Sequence, residues 1–380
     1  MNDIKTFTHE NLNILQQHDC VEPIYKMHIG PDTVKQKVPY SLSFCCHTWT
    51  SISPILPRWR DESNPLKAKS LKELWFCEEI ENLRKTVIKS QTKKAERNFK
   101  YCNPKNCQYL GNPELWMPSS EENDSYIKKW EQGEFFIPML CFDPDKSCQL
   151  RCPSCRTHLI YNKNILEEDP ALKQITEDVI TEFNNGNIKF LEMNNSGDPL
   201  VSPACMHILD NVKGIDGFSE IHLHTNGLAF TEKWWNEHKN LHHMIKHLQI
   251  SLDAGNKECY DKVRLGGRWD IIIENLDFIA NELPNIDTSI NLVTQKNNFK
   301  SMPEFIELGR KWNFHCNITR LTEWHGVPNE WYEANSCILE PKGVIPELED
   351  VIRSLPPLDD IRVSFGNLVY FIKHIRDDIK

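Results

Sequence analysis

Three cysteines in close, unequal spacing carry the sharpest chemistry in this chain. Cys148, Cys152 and Cys155 stand in the run CQLRCPSC, a C-x3-C-x2-C pattern. Thiolates are soft ligands and select iron–sulfur clusters, zinc or copper. A structural zinc site usually closes with four ligands, and the run contains no fourth cysteine. Three thiolates on a four-iron cubane leave one iron open to the amino and carboxylate groups of an amino acid. The other reading is half of a zinc knuckle, completed by His158 or by a distant cysteine.

Polar and glycine-bearing turns recur after this run, at the ends of β-like segments. They are NNSGDPL (194–200), HTNG (224–227), SLDA (251–254), DKVRLGGRWD (261–270) and NLVTQKN (291–297). One at a time, each reads as an ordinary βα turn in which glycine supplies φ > 0. Their order behind the cysteine run resembles the radical S-adenosylmethionine (SAM) superfamily, over roughly residues 135–325. The resemblance implies a [4Fe–4S] cluster on Cys148, Cys152 and Cys155, with SAM bound at its open iron. It places Ser196, Gly197 and Asp198 at the SAM amino group and Thr225 and Asn226 in the turn beside the cofactor. Ser251 and Asp253 would touch the SAM carboxylate or ribose, Arg264 would face the carboxylate, and Val293 and Gln295 would flank the adenine or ribose. Three positions depart from the family pattern. Ser154 stands where an aromatic residue is common, Ser196 replaces a glycine, and Asp198 is one methylene shorter than the usual glutamate.

The elements that must position these residues alternate regularly. Strands are expected at 135–142, 188–194, 220–226, 247–253, 286–293 and 315–321. Helical patterns lie between them, at 164–184, 270–283 and Met302–Trp312 among others. Such alternation calls for parallel strands with right-handed crossovers. The fold class is therefore α/β, a partial (β/α)6 TIM-like barrel with functional groups at the C-terminal strand ends. A doubly wound sheet has the same periodicity. On the third strand His224 should face the barrel mouth with the TNG turn. Cys316, on the sixth, is either a hydrogen donor to a substrate radical or a buried thiol. His242, His243 and His247 read as surface residues. Trp324, His325, Trp331 and Tyr332 either line a substrate cleft or cover the barrel edge.

Residues 1–112 hold a second group of cysteines. DCVEPIYKMHIGPD looks like a strand entering a turn, with LSFCCHTW (42–49) as its return strand. Ser70 and Glu73 are spaced as a helix capping box. CNPKNC closes the region. This order resembles the SPASM/twitch auxiliary-cluster module, here in front of the barrel. The resemblance implies a second cluster on Cys20, Cys46, Cys102 and Cys107, with Cys45 as the alternative to Cys46. A structural zinc site would suit four thiolates equally. Residues 113–133 read as a linker, 134–325 as the barrel, and 326–380 as a C-terminal extension packing on it.

Composition limits the remaining choices. The 380-residue chain has a net charge of −10, which argues against nucleic acid as main partner. Residues 84–100 run the other way, with seven Lys/Arg and one acid, and read as a solvated helix face. No apolar run is long enough to span a bilayer. Fourteen cysteines and no apolar leader suggest the cytoplasm and metal binding rather than disulfides. The implied activity is reductive cleavage of SAM to a 5′-deoxyadenosyl radical, which abstracts hydrogen from a peptide, protein or small-metabolite substrate, with net oxidation. The cell would supply electrons through a reductant such as flavodoxin or ferredoxin. The alternatives are a redox-neutral epimerase or isomerase and a zinc-stabilised binding module without catalysis.

Overall fold

The computed structural model describes residues 22–30, 59–61, 63–64, 66–87, 121–193, 196–322, 327–338 and 343–376. The chain divides into two compact units, one holding residues 1–145, 164–196 and 207–220, the other 146–163, 197–206 and 221–380. The architecture is mixed α/β, and every strand pairing within a unit is parallel.

In the first unit, β1 (Lys26–Ile29), β2 (Ile137–Phe142) and β3 (Ile188–Met193) pair in chain order, with Lys26 opposite Met139 and Met139 opposite Phe190. Helix Pro170–Asn184 packs against β3 and buries Leu172, Ile175, Val179 and Phe183. Those four sit at helical spacing on one face, so a single helix presents one apolar stripe to the strands. Asp169 caps the helix by accepting the Leu172 N–H, and Pro170 occupies the first turn, where its missing N–H costs nothing. Arg60 clamps the same Asp169 with two bonds of 2.9 and 2.5 Å. The capping box forms: Ser70 Oγ accepts the Glu73 N–H while the Glu73 carboxylate accepts the Ser70 N–H.

In the second unit, β4 (Glu220–Thr225), β5 (Ile245–Ser251), β6 (Asp287–Thr294), β7 (His315–Arg320) and β8 (Val363–Ser364) pair in the same order. Side chains alternate along each strand. Ile221, Leu223 and Thr225 of β4 are buried on one face, and His222 and His224 stand half-buried on the other. Helix Met302–Trp312 covers β6 and β7 with Met302, Phe305, Ile306 and Trp312.

The structure corrects the sequence reading in three places. Eight strands are described rather than the six expected of the barrel: β1 falls in the segment read as an N-terminal strand, and β8, two residues long, is too short for a periodic pattern. Residues 26–29 form that strand and pair with β2 in parallel, and the expected return strand, 42–49, lies outside the described residues. The expected linker contains helix Glu121–Glu131, whose Tyr126 and Trp130 pack one turn apart with Ile24 and Phe136. Arg84 is not on a solvated face. It is fully buried, donates to the Trp75 carbonyl and Glu81, and lies over the Trp75 ring at 4.0 Å. The rest of the basic stretch, 88–100, lies outside the described residues.

Candidate metal and cofactor site

The cysteine loop leaves β2 and folds back on itself. Cys148 N–H donates to the Ile160 carbonyl at 2.9 Å, and Asn162 N–H donates to Ser147 Oγ at 3.2 Å. Between these ties the Cys155 and Arg156 N–H groups both close on the Cys152 carbonyl at 3.0 Å. Cys148 and Cys152 are buried and Cys155 is half-buried. Each sulfur faces N–H donors. Leu150 N–H and Asn226 Nδ2 reach Cys148 at 3.4 and 3.7 Å, Arg264 Nη1 reaches Cys152 at 3.7 Å, and Arg156 Nη2 reaches Cys155 at 3.5 Å. Burial pushes the Cys148 thiol up to about 11 and raises Cys152 also, against the opposing pull of Arg264. Without a metal these thiols keep their protons, and a soft cation would displace them.

The donor set fits a cluster better than one ion. Among the described residues the three sulfurs do not form a group with all ligand atoms within 4.8 Å of one another, the spacing a single ion needs. A cubane binds each thiolate through a different iron and holds the sulfurs wider apart.

Two braces tie the later turns to this loop. The first centres on Asp198, which is buried, and whose N–H donates to the Ser147 carbonyl at 2.9 Å. Its carboxylate accepts from Thr225 Oγ1 and Asn226 N–H, both at 2.8 Å, and from Leu200 N–H at 3.1 Å. Desolvation raises its pKa while these bonds pull it down. Asn226 in turn exchanges hydrogen bonds with the Gln149 amide at 3.0 and 3.2 Å. Gly227 follows at φ +79°, a conformation that favours glycine.

The second brace centres on Asp253 and Arg264. Arg264 Nη2 meets Asp253 Oδ2 at 2.8 Å, with side chains only 12% and 4% exposed. The other Asp253 oxygen accepts the Val293 N–H at 2.8 Å. Asp253 holds φ +58°, a left-handed conformation rare outside glycine, asparagine and aspartate. The nearby Asp253 keeps the Arg264 guanidinium charged despite its burial. Arg264 Nε and Gln295 Nε2 are buried with no hydrogen-bond partner. Buried donors are rarely left unpaired, so a ligand carrying acceptors would complete this corner. His224 Nε2 lies 2.9 Å from Ser251 Oγ on the half-buried face.

The structure thus links Cys148 with Asn226, Asp198 and Thr225, and Cys152 with Arg264, Asp253 and Val293. Ser196 belongs to the first unit, where its N–H lies 3.0 Å from both Asp143 oxygens. Of the two alternatives for Cys316, its placement is that of the buried thiol: it lies on the helix-facing side of β7, pressed against Gly309, where an added Cβ would stand 2.1 Å from its sulfur. It does not share the face that carries His224, because its strand neighbour Asn317 takes that side. His242 is half-buried and stacks on Trp235 with ring centroids 3.9 Å apart, and His247, a strand residue, meets Asp287 at 2.9 Å. Cys20, Cys45, Cys46, Cys102 and Cys107 lie outside the described residues, as do Trp324 and His325.

Sequence reasoning missed Gln149 and Arg156, whose proximity to the motif was the available signal. It also missed a group on β1–β3 in the first unit. There Glu192 accepts from the Cys141 thiol at 3.0 Å and pairs with Lys26 at 3.3 Å, beside His28. No spacing in the chain announces that group, because its contacts join residues 51 and 166 positions apart.

Several known proteins resemble parts of this chain. The profile described as "Radical SAM superfamily" matches residues 146–309. Molybdenum cofactor biosynthesis protein 1 of Dictyostelium discoideum is 29% identical over 170 residues, 43% of this chain and 25% of that protein. Mycofactocin maturase MftC of Mycolicibacterium smegmatis is 23% identical over 205 residues, 54% of this chain and 50% of its own. The chain thus spans half or less of the length of these relatives. Among solved structures, Streptococcus suis SuiB bound to its precursor peptide SuiA aligns with 66% of this chain and 53% of its own, at 15% identity and a TM-score of 0.35. Motif order and the geometry around the three sulfurs agree with the profile match: residues 146–309 match the model of the radical SAM superfamily.

Proposed function

We propose that the chain is a radical SAM enzyme whose [4Fe–4S] cluster is held by Cys148, Cys152 and Cys155. When bound, cluster and SAM supply one-electron cleavage of SAM to methionine and a 5′-deoxyadenosyl radical, which takes a hydrogen atom from substrate. The single observation that carries this reading is the set of N–H donors and guanidinium groups meeting all three sulfurs. The protein's own groups do the rest. Arg264 offers positive charge to a carboxylate beside Cys152, held in place by Asp253. Asp198 spends its oxygens on Thr225, Asn226 and Leu200, so its role is to fix the turns. Around the SAM amino group, Ser196 and Gly197 offer backbone. Gln295, with its unpartnered amide, suits an adenine or ribose acceptor beside Val293, and Ser251 with His224 presents a hydrogen-bonding pair.

The substrate is a peptide or small metabolite, and the reaction a net oxidation. The helix-facing placement of Cys316 speaks against a redox-neutral version with that thiol as hydrogen donor. Residues 1–112 form an auxiliary module, in which Cys20, Cys46 (or Cys45), Cys102 and Cys107 bind a second cluster or zinc.

The test is anaerobic reconstitution with iron and sulfide, reduction, and incubation with SAM. Formation of 5′-deoxyadenosine that disappears in Cys152→Ala is expected. A fully reconstituted, reducible chain that yields none, with or without candidate peptides, would sink the proposal. About eight irons per chain would mean two cubanes, and about four with one zinc a structural N-terminal site.

A further inference from the structure

A second set of metal-ligating side chains stands away from the three sulfurs, at the starts of β4 and β5. Glu220 opens β4 and His222 follows two residues later, so both project from one face of the same strand. His247 stands on β5 directly opposite His222. That pairing depends on a local irregularity. Ile221 pairs with Ile245 and His222 with His247, so Lys246 is an extra residue with no partner on β4. In an unbroken ladder His247 would lie opposite Leu223, on the apolar buried face. The bulge instead turns its imidazole toward His222, the kind of re-aiming that bulges perform. The two rings have centroids 4.2 Å apart and are tilted by 55°, not stacked flat as His242 is on Trp235 at 5°. His247 Nδ1 lies 2.9 Å from Asp287 Oδ2. With Nδ1–H donating to that carboxylate, Nε2 carries the lone pair a metal needs, which is how ligand histidines are commonly held.

We propose that Glu220, His222 and His247 bind one divalent first-row transition-metal ion, which ties the start of β4 to the start of β5. Their ligand atoms lie within 4.8 Å of one another, and all three residues are half-buried. Among the described residues no other set of His, Cys, Asp and Glu converges so closely. Metal bonds of about 2.0–2.2 Å hold two donors on one ion up to about 4 Å apart, so small side-chain rotations close the set. Two imidazoles and one carboxylate suit zinc, and equally ferrous iron or cobalt, because none of the donors is a soft sulfur. Three protein donors leave at least one position for water or an outside ligand. The site is distinct from the one described above. Thr225, Ser251 and Asp253 sit at the other ends of β4 and β5, and the inference does not depend on the cluster assignment.

The experiment uses the full chain after iron–sulfur reconstitution, with loosely held iron removed. Zinc alone is titrated by calorimetry, and cobalt(II) is added in parallel for its spectrum. One equivalent should bind that is lost in His222→Ala/His247→Ala. Removing an outer partner of a metal ligand costs about 10–100-fold in affinity, so Asp287→Ala should weaken the site by that much and loss of both imidazoles by more. Zinc held by cysteines elsewhere stays in these variants, so the difference isolates this site. Cobalt bound here should show weak visible bands without the intense charge transfer that thiolates give. Zinc should also raise the thermal midpoint of the wild-type chain more than that of the double variant. Glu220→Gln keeps the shape of the side chain and gives the same readout if the double variant fails to fold. Wild-type zinc affinity in both Glu220→Gln and the double variant, or a cobalt spectrum of thiolate character alone, would overturn the site and leave the cluster assignment standing.

Discussion

Replacing Arg264 by methionine tests the buried ion pair on which the second brace depends. The guanidinium and the Asp253 carboxylate lie 2.8 Å apart with almost no exposure, and Asp253 keeps one further donor, the Val293 N–H. Methionine fills much of the same volume, so the loss is electrostatic rather than a cavity. It strands a carboxylate in a low-dielectric site at a backbone conformation already strained at φ +58°. Breaking a buried pair from one side costs about 3–5 kcal/mol, a large part of the ~5–15 kcal/mol that holds a typical domain. Asp253→Asn keeps an acceptor for Val293 but removes the charge, and should cost less because Arg264 also faces Cys152. In the double variant neither charge is stranded, so the two costs should fail to add by about 2–3 kcal/mol. Urea unfolding of the four cluster-free proteins, followed by circular dichroism, measures the cycle. An Arg264→Met cost below about 1 kcal/mol, or costs additive within about 0.5 kcal/mol, would refute the reasoning.

Further outcomes follow from the same geometry. Burial, with the Lys26 ammonium beside it, pushes the His28 imidazole down to about 4, against an opposing pull from Glu192. The folded chain therefore favours neutral His28. Its contribution is whole above pH 6.5 and is lost as pH falls toward 4, about 2 kcal/mol between pH 7.5 and 5. His28→Gln should flatten that part of a urea-midpoint profile, and an unchanged slope would count against it. Gly309→Ala should destabilise by about 1–3 kcal/mol through overpacking on the Cys316 sulfur. Cys316→Ala in the same chain should restore part of the loss, a rescue seen in thermal melts only if Cys316 is a packing residue.

Much of the candidate site was legible because its sulfurs are local in sequence. Cys148, Cys152 and Cys155 fall within eight residues, and soft-ligand chemistry follows from their type. The strand-end turns were legible too, since Gly227 and Asp253 occupy conformations that restrict residue choice. The helix within 121–131 was hidden because Tyr126 and Trp130 are embedded in a polar run, and only packing with Ile24 and Phe136 gives that stripe a function. β8, two residues long, was hidden for want of length. Strands so short are stable only as neighbours of longer ones, and that adjacency is not written in their own residues.

The sequence by itself determined the parallel α/β order, the capped helices and the identity of the three thiols, because periodicity, caps and close spacing are local properties. Only the tertiary structure decided which partners those residues meet. It gave Asp198 to the Thr225–Asn226 turn, set Arg264 between Cys152 and Asp253, turned Cys316 toward a helix, and gathered Lys26, Cys141 and Glu192 on three neighbouring strands. Such pairings arise when distant segments share one register, and register is fixed by the burial of whole strand faces rather than by any motif.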